Sequence, residues 1–231
     1  MKILITGSSS GIGLGLANYY VELGHDVHGI SRNACIPLFS KPNYTHSSLD
    51  LSSSLAIPQL PLSDFDIVIF SAGRNQVKSF TEYSEQDIQK LFFLNSFSVI
   101  YYTQRLISFF SDASHDHQCR FVFISSIWST LACSRRAVYG STKASIDALF
   151  RHLSLEYKYQ HSFLTLQLGF VDTPLTKKTA SDYNLRPALD RSLLHQSKFS
   201  VSDVVKYISF LADPSTPFYC VNIPVDGGIC L

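Results

Sequence analysis

Along almost the whole chain, short runs of apolar residues alternate with longer stretches in which apolar positions recur at helical spacing. Residues 2–6 (KILIT) form a short β-branched run ending in a glycine- and serine-rich turn, and a helical period then holds to about residue 23. Comparable apolar runs stand at 26–30 (DVHGI), 66–70 (DIVIF), 120–125 (RFVFIS), 163–168 (FLTLQL) and near 221–225. Between them the spacing predicts a long helix over about 84–111, another over about 138–159 and a last one after Ser202. Short apolar strands separated by helices imply a parallel sheet covered on both faces.

Two stretches depart from this rhythm. Residues 31–63 carry Pro37, Pro42, Pro58 and Pro61 among serine clusters, so the two crossover connections there are expected to be short or irregular. Residues 175–200 have the least pattern, and a long connection at that point in a compact domain is expected to be a substrate lid.

Composition narrows the class. The 231 residues, 45% hydrophobic and 16% charged, suit one α/β domain over residues 1–231 with a large core. A formal net charge of +1 gives no reason to expect nucleic acid or an acidic membrane as partner. The five cysteines (Cys35, Cys119, Cys133, Cys220, Cys230) show no C-x-x-C spacing and read as reduced thiols of a cytoplasmic protein. The first residues lack the apolar core of a signal peptide. The most apolar long stretch, 91–110, is broken by polar residues such as Asn95, Ser96 and Arg105, so it reads as an amphipathic or buried helix rather than a membrane span. The histidines and carboxylates of 112–119 (DASHDHQC) match no usual zinc spacing, and no metal is expected.

The turn TGSSSGIGLG (6–15) follows the first strand and opens the first helix. Glycines let the backbone turn tightly and let a pyrophosphate approach, while the helix N-terminus offers free N–H groups and positive partial charge. Its spacing, with Gly7, Gly11 and Gly13, differs from the commoner G-x-G-x-x-G, and no Gly-Lys-Ser/Thr closes it as a Walker loop. After the second strand come Ser31 and Arg32 with no carboxylate at the strand end. An acidic residue there would accept from the ribose 2′-hydroxyl of NAD(H), whereas an arginine suits a 2′-phosphate, so the reading favours NADP(H) over NAD(H).

YGSTK places Tyr139 and Lys143 four residues apart on one helix face, close enough to interact. An ammonium beside a phenol favours the phenolate and brings tyrosine toward useful acid–base chemistry. With Ser126 thirteen residues upstream, at the end of an apolar strand, the chain resembles the short-chain dehydrogenase/reductase superfamily, in its type of about 250 residues. The resemblance spans nearly the full length. TGSSSGIG is similar to that family's cofactor loop, SLDLS around Asp50 and Leu51 to its adenine-contacting site, and FSAG (70–73) to N-N-A-G. Asn95 resembles the helix asparagine, LGFVDTP (168–174) the P-G-x-x-x-T turn, and IPVDGG (223–228) the C-terminal strand signature.

The resemblance implies a doubly wound, Rossmann-type three-layer αβα sandwich and an oxidoreductase that interconverts a ketone or aldehyde with an alcohol. It implies that Tyr139 exchanges the proton while Lys143 holds the nicotinamide ribose and depresses the phenol's pKa. Ser126 would hydrogen-bond the carbonyl oxygen, and Asn95 would sit at a helix irregularity, helping a water link Lys143 to solvent. Gly7, Ser9, Ser10, Gly11, Ile12, Gly13, Arg32, Asp50, Leu51, Ser71, Ala72 and Gly73 would contact the cofactor, together with Tyr139 and Lys143. Thr173 and the Val171 backbone would grip the carboxamide. Homodimers or homotetramers through the two long middle helices are also implied.

The chain departs from the family where Ser71 replaces the second Asn, Leu168 replaces Pro, and Cys220 stands where Gly is common. None of these removes a group that does chemistry. Trp128 is expected either to wall the pocket or to pack. The cations of 175–200, with Arg74, Arg135 and Arg136, raise the expectation of an anionic substrate, against that of a solvated lid. A non-catalytic NADP(H)-binding sensor is the competing class, and the full Asn95, Ser126, Tyr139 and Lys143 set argues against it. A sugar-nucleotide epimerase or dehydratase usually needs a larger substrate domain.

Overall fold

A computed structural model describes all residues except 34–37, 39, 113–116, 182–198 and 230–231. Strands β1 (Lys2–Thr6), β2 (Asp26–Ser31), β3 (Tyr44–Ser48), β4 (Ile67–Phe70), β5 (Cys119–Ser126), β6 (His161–Leu168) and β7 (Cys220–Val225) form one sheet. All its pairings are parallel, in the order β3-β2-β1-β4-β5-β6-β7. Helices α1 (Gly11–Glu22), α2 (Glu85–Phe92), α3 (Ser98–Asp112), α4 (Ala137–Glu156), α5 (Pro174–Ser181) and α6 (Val201–Ala212) complete the three-layer sandwich.

The pleat sorts the core. On β1, Ile3 and Ile5 face α1 and α6 with Leu16, Tyr20, Val204 and Ile208, whereas Leu4 faces the opposite layer. There it joins Val68, Phe70, Phe121, Phe123, Tyr102 and Phe150, so α3 and α4 cover that side. Every residue of β5 and β6 is buried, which is why both read as continuous apolar runs. Strand β3 (YTHSS) has one buried residue, Tyr44, and lies at the sheet edge, so apolar patterning did not reveal it.

The connections agree with the proline pattern: β3 leads to β4 through a 3-10 turn, Ser54–Gln59, that contains Pro58. The helix expected over 84–111 is present but broken. A π turn, Phe93–Phe97, separates α2 from α3, and it contains buried Asn95 and Ser96. The helix expected over 138–159 ends at Glu156. Within 175–200, helix α5 continues to Ser181 and Phe199 forms a bridge with Val171, while 182–198 lie outside the described residues.

The strand order reverses between β1 and β4, the place in an open α/β sheet where ligands bind at the carboxyl ends. Among the described residues no helix is long and apolar enough to cross a membrane, and no group of His, Cys, Asp and Glu is arranged to hold a metal ion.

Candidate active site

The carboxyl ends of β1, β4, β5 and β6 open into a cleft of about 220 Å³. Its floor on one side is the turn between β1 and α1. Gly7 and Gly11 take φ of 73° and 54°, left-handed values that suit glycine. A Cβ on Gly13 would stand 2.3 Å from the Gly7 carbonyl oxygen, so the helix start lies directly under the turn. Ser10 makes no side-chain cap and the first turn of α1 has no acidic residue, leaving helix N–H groups and positive partial charge for an anionic group. The Gly7 N–H donates to Ile30 O at 2.7 Å and the Ala72 N–H to Thr6 Oγ1 at 3.1 Å, fixing the turn to β2 and to the segment after β4. Across the cleft, Thr173 lies 3.7 Å from where a Gly11 Cβ would be. A bare backbone cradle with a helix start and facing hydroxyl fits a dinucleotide pyrophosphate.

On the other side, β5 delivers Ser126 and α4 delivers Tyr139 and Lys143. All three are buried and line the cleft. Their convergence depends on Gly140, where a Cβ would come within 2.5 Å of the Trp128 carbonyl oxygen. Only glycine lets α4 press this closely on the turn Ile127–Ser129 that follows Ser126. Burial raises the Tyr139 phenol above its ordinary pKa, while a hydrogen bond with Ser126 and the Arg136 charge pull it back down. Burial lowers Lys143 to about 8, with Asp147 opposing that fall. The Lys143 Nζ donates to Ile124 O at 2.7 Å and lies 4.4 Å from the Phe123 ring centroid. Lys143 is not among the groups that shift the phenol, so the cation acting on Tyr139 here is Arg136.

Asn95 lies behind Gly73. A Cβ on Gly73 would be 3.5 Å from both Asn95 Oδ1 and Lys143 Nζ, so those two atoms flank the same backbone gap. The expected helix irregularity at Asn95 is the π turn.

The structure brings most of the sequence-derived residues together. Gly7, Ser10, Gly11, Ile12, Ser71, Gly73, Ser126, Tyr139, Lys143, Val171 and Thr173 line the cleft, while Ser9, Gly13, Ala72 and Asn95 do not. Arg32, Asp50 and Leu51 lie past the ends of β2 and β3, outside the lining. Arg32 is exposed, Asp50 accepts from the Ser52 N–H (3.0 Å) and Oγ (2.8 Å), and Leu51 is buried in the core. Trp128 does both things expected of it: it lines the cleft and packs edge-on to Phe170 at 6.1 Å. Sequence reasoning missed Ser125, whose buried Oγ has no hydrogen-bond partner in the cleft wall, and Asn75, whose buried Oδ1 has none. Their positions directly before Ser126 and after Gly73 and Arg74 were the available signal.

The family model described as short chain dehydrogenase matches residues 45–184. The chain belongs to the short-chain dehydrogenase family. An uncharacterized oxidoreductase of Staphylococcus epidermidis is 25% identical over 223 residues, covering 92% of this chain and 91% of the relative. Among solved structures, a 4-hydroxyisoleucine dehydrogenase complexed with NADH superimposes with a TM-score of 0.88 at 23% identity, covering 99% of this chain and 98% of that one. A putative 2-deoxy-d-gluconate 3-dehydrogenase from Agrobacterium tumefaciens with bound NADP gives 0.89 at 21% identity, covering 99% and 96%. The sandwich is therefore the family's fold, and the protein is an oxidoreductase of CH–OH and C=O groups with a nicotinamide dinucleotide as redox partner.

Proposed function

We propose that this short-chain dehydrogenase reduces a ketone or aldehyde to an alcohol, or runs the reverse oxidation, with NADP(H). The observation that carries the reading is the meeting of Ser126, Tyr139 and Lys143 in one cleft with the glycine turn at the sheet's reversal point. The Gly7–Gly13 turn would hold the pyrophosphate, Ser71 to Gly73 the adjacent sugar, Lys143 the nicotinamide ribose, and Val171 and Thr173 the carboxamide. When bound, the nicotinamide supplies the hydride, or accepts it in oxidation.

The chain's own groups then handle the proton and the charge. Ser126 Oγ donates to the substrate oxygen and stabilises the negative charge that grows there. Tyr139 releases its phenolic proton to the same oxygen, so the carbonyl gains one hydride at carbon and one proton at oxygen. Burial disfavours a lingering phenolate, and Ser126 and Arg136 offset that penalty. Lys143, lowered to about 8, sits near the point at which it gives up or takes a proton.

The choice of NADP(H) rests on Arg32, which follows β2 next to the glycine turn with an exposed side chain, near enough to Asp50 for its charge to act there, that a 2′-phosphate would engage. We read the exposed Phe97 at the end of the π turn and Tyr101 in the first turn of α3 as the surface through which copies associate into dimers or tetramers. The test of the reaction is a carbonyl-compound panel with NADPH and NADH on wild type and Tyr139→Phe. Turnover that vanishes in the variant supports the mechanism, and undiminished turnover sinks it. Better efficiency with NADH overturns the role given to Arg32.

A further inference from the structure

Two arginines are buried among the described residues, Arg120 and Arg136, and their surroundings are opposite. Arg120 is fully engaged. Its Nε donates to Ser162 Oγ at 3.0 Å, its Nη1 to Leu211 O at 2.9 Å, to Thr216 Oγ1 at 2.8 Å and to Asp213 O, and its Nη2 to Thr216 O at 2.9 Å. That arginine fastens the end of α6 to the sheet. Arg136 is just as buried, at 4% exposure, yet its Nε and Nη1 have no hydrogen-bond partner. Its recorded side-chain neighbour is the Trp128 ring, 5.4 Å from the guanidinium carbon. None of the ion pairs among the described residues includes it.

A buried guanidinium with unpaired N–H groups is costly, and native proteins seldom keep one without a use. The backbone shows how this one is placed. Arg135 has φ of 64°, the one non-glycine residue with positive φ among the described residues. Arg135 turns outward, 3.5 Å from Glu82, while Arg136 turns into the cleft. A strained residue at a cleft that aims its neighbour's charge inward is the pattern of a ligand clamp. Arg136 is the N-cap residue of α4, three residues before Tyr139, and both side chains line the cleft, so a group held on its guanidinium lies on the proton donor's side of the cleft.

We propose that Arg136 binds a carboxylate on the substrate, so that the enzyme interconverts an oxo carboxylic acid and the matching hydroxy acid. This rests on the carbonyl-reductase reading above and adds its substrate class. A carboxylate rather than a phosphate follows from the charge balance: the one buried guanidinium of the cleft, set against the Trp128 ring in a wall that also includes Phe170, matches one negative charge.

The experiment compares 2-, 3- and 4-oxo carboxylates with their methyl esters, by kcat/KM, on wild type, Arg136→Gln and Arg136→Lys. In parallel, the fluorescence of Trp128, the single tryptophan of the chain, is titrated with the same acids, the esters and inorganic phosphate in the presence of oxidised cofactor. At least one acid should exceed its ester by about 10- to 100-fold, the range of a charge-assisted hydrogen bond. That ratio should collapse toward one in Arg136→Gln, mainly through KM, with partial recovery in Arg136→Lys, and the same acid should shift the Trp128 signal. Equal efficiency of acids and esters in wild type overturns the proposal. So does an equal loss on acids and esters in Arg136→Gln, which would mean that Arg136 acts only through Tyr139. A stronger Trp128 response to phosphate than to any carboxylate overturns the assigned anion. Absence of turnover with every carbonyl compound would instead strike the reductase reading, while the fluorescence titration would still report whether Arg136 holds a carboxylate.

Discussion

Asn95 joins two elements of the cleft wall through one amide: its Nδ2 donates to Thr142 Oγ1 at 3.1 Å on α4 and to Arg74 O at 2.9 Å on the segment after β4. Its Oδ1 accepts from the Arg74 N–H at 2.9 Å, so both ends of the amide are used. Asn95→Ala leaves the Arg74 groups and the Thr142 hydroxyl without that partner. The expected cost is about 1–3 kcal/mol of stability. Turnover should fall further than stability explains, because the Gly73 gap beside Lys143 loses its support. Denaturant midpoints at constant m-value, set against kcat of the folded fraction, check both parts.

How much of this was legible beforehand depended on whether a feature is local. Strands β1, β4, β5 and β6 were readable because burial on both faces leaves continuous apolar runs. Strand β3 was not, since an edge strand with polar positions looks like loop. The π turn was invisible to periodicity because distant partners hold it: Ser96 Oγ donates to Thr142 O at 3.0 Å, and Asn95 reaches Arg74 and Thr142. The inward course of Arg136 follows from one left-handed residue, Arg135, which no local signal announces. The glycine turn, Ser126, Tyr139 and Lys143 were legible because the proposed chemistry needs those residue types at those spacings.

Gly140 sets packing against helix propensity. Replacing an interior helical glycine by alanine gains about 1 kcal/mol in isolation. Here the new Cβ would lie 2.5 Å from the Trp128 carbonyl oxygen, a backbone atom that cannot swing aside, and overpacking of that kind costs about 1–3 kcal/mol. Gly140→Ala is therefore expected to be net destabilising, and by pushing the Ile127–Ser129 turn from α4 it should separate Ser126 from Tyr139. A lower melting temperature together with at least about a tenfold drop in kcat is the expected outcome; a more stable, fully active variant would refute the packing argument.

Lys143 should cost stability at neutral pH. Its folded value of about 8 lies below the ordinary 10.5 because burial disfavours the ammonium. Below pH 8 both folded and unfolded forms are protonated and the penalty is complete. From 8 toward 10.5 the unfolded chain binds the extra proton, so stability rises with pH there. Lys143→Met should accordingly be more stable than wild type near pH 7, by about 1–3 kcal/mol after the lost bond to Ile124 O is counted, and its advantage should shrink as pH approaches 10. Equilibrium unfolding of both proteins at pH 7 and 9.5 tests the sign, and the variant should be inactive at each.

His161 should act with the same sign on the acid side. It is buried on β6, where its Nδ1 accepts from the Cys119 N–H at 3.3 Å, and burial, aided by the charge of His117, lowers it to about 4. Between pH 6.5 and 4 the unfolded imidazole takes a proton that the folded one refuses. Stability is therefore lost as pH falls through that window, with a slope that approaches about 1.4 kcal/mol per pH unit for one full proton. Carboxylates titrate in the same range, so the decisive quantity is the difference from a variant rather than the wild-type curve. His161→Gln keeps an acceptor for Cys119 but cannot be charged. Its stability should decline less steeply from pH 6.5 to 4, and parallel curves would show that the imidazole is not the group refusing the proton.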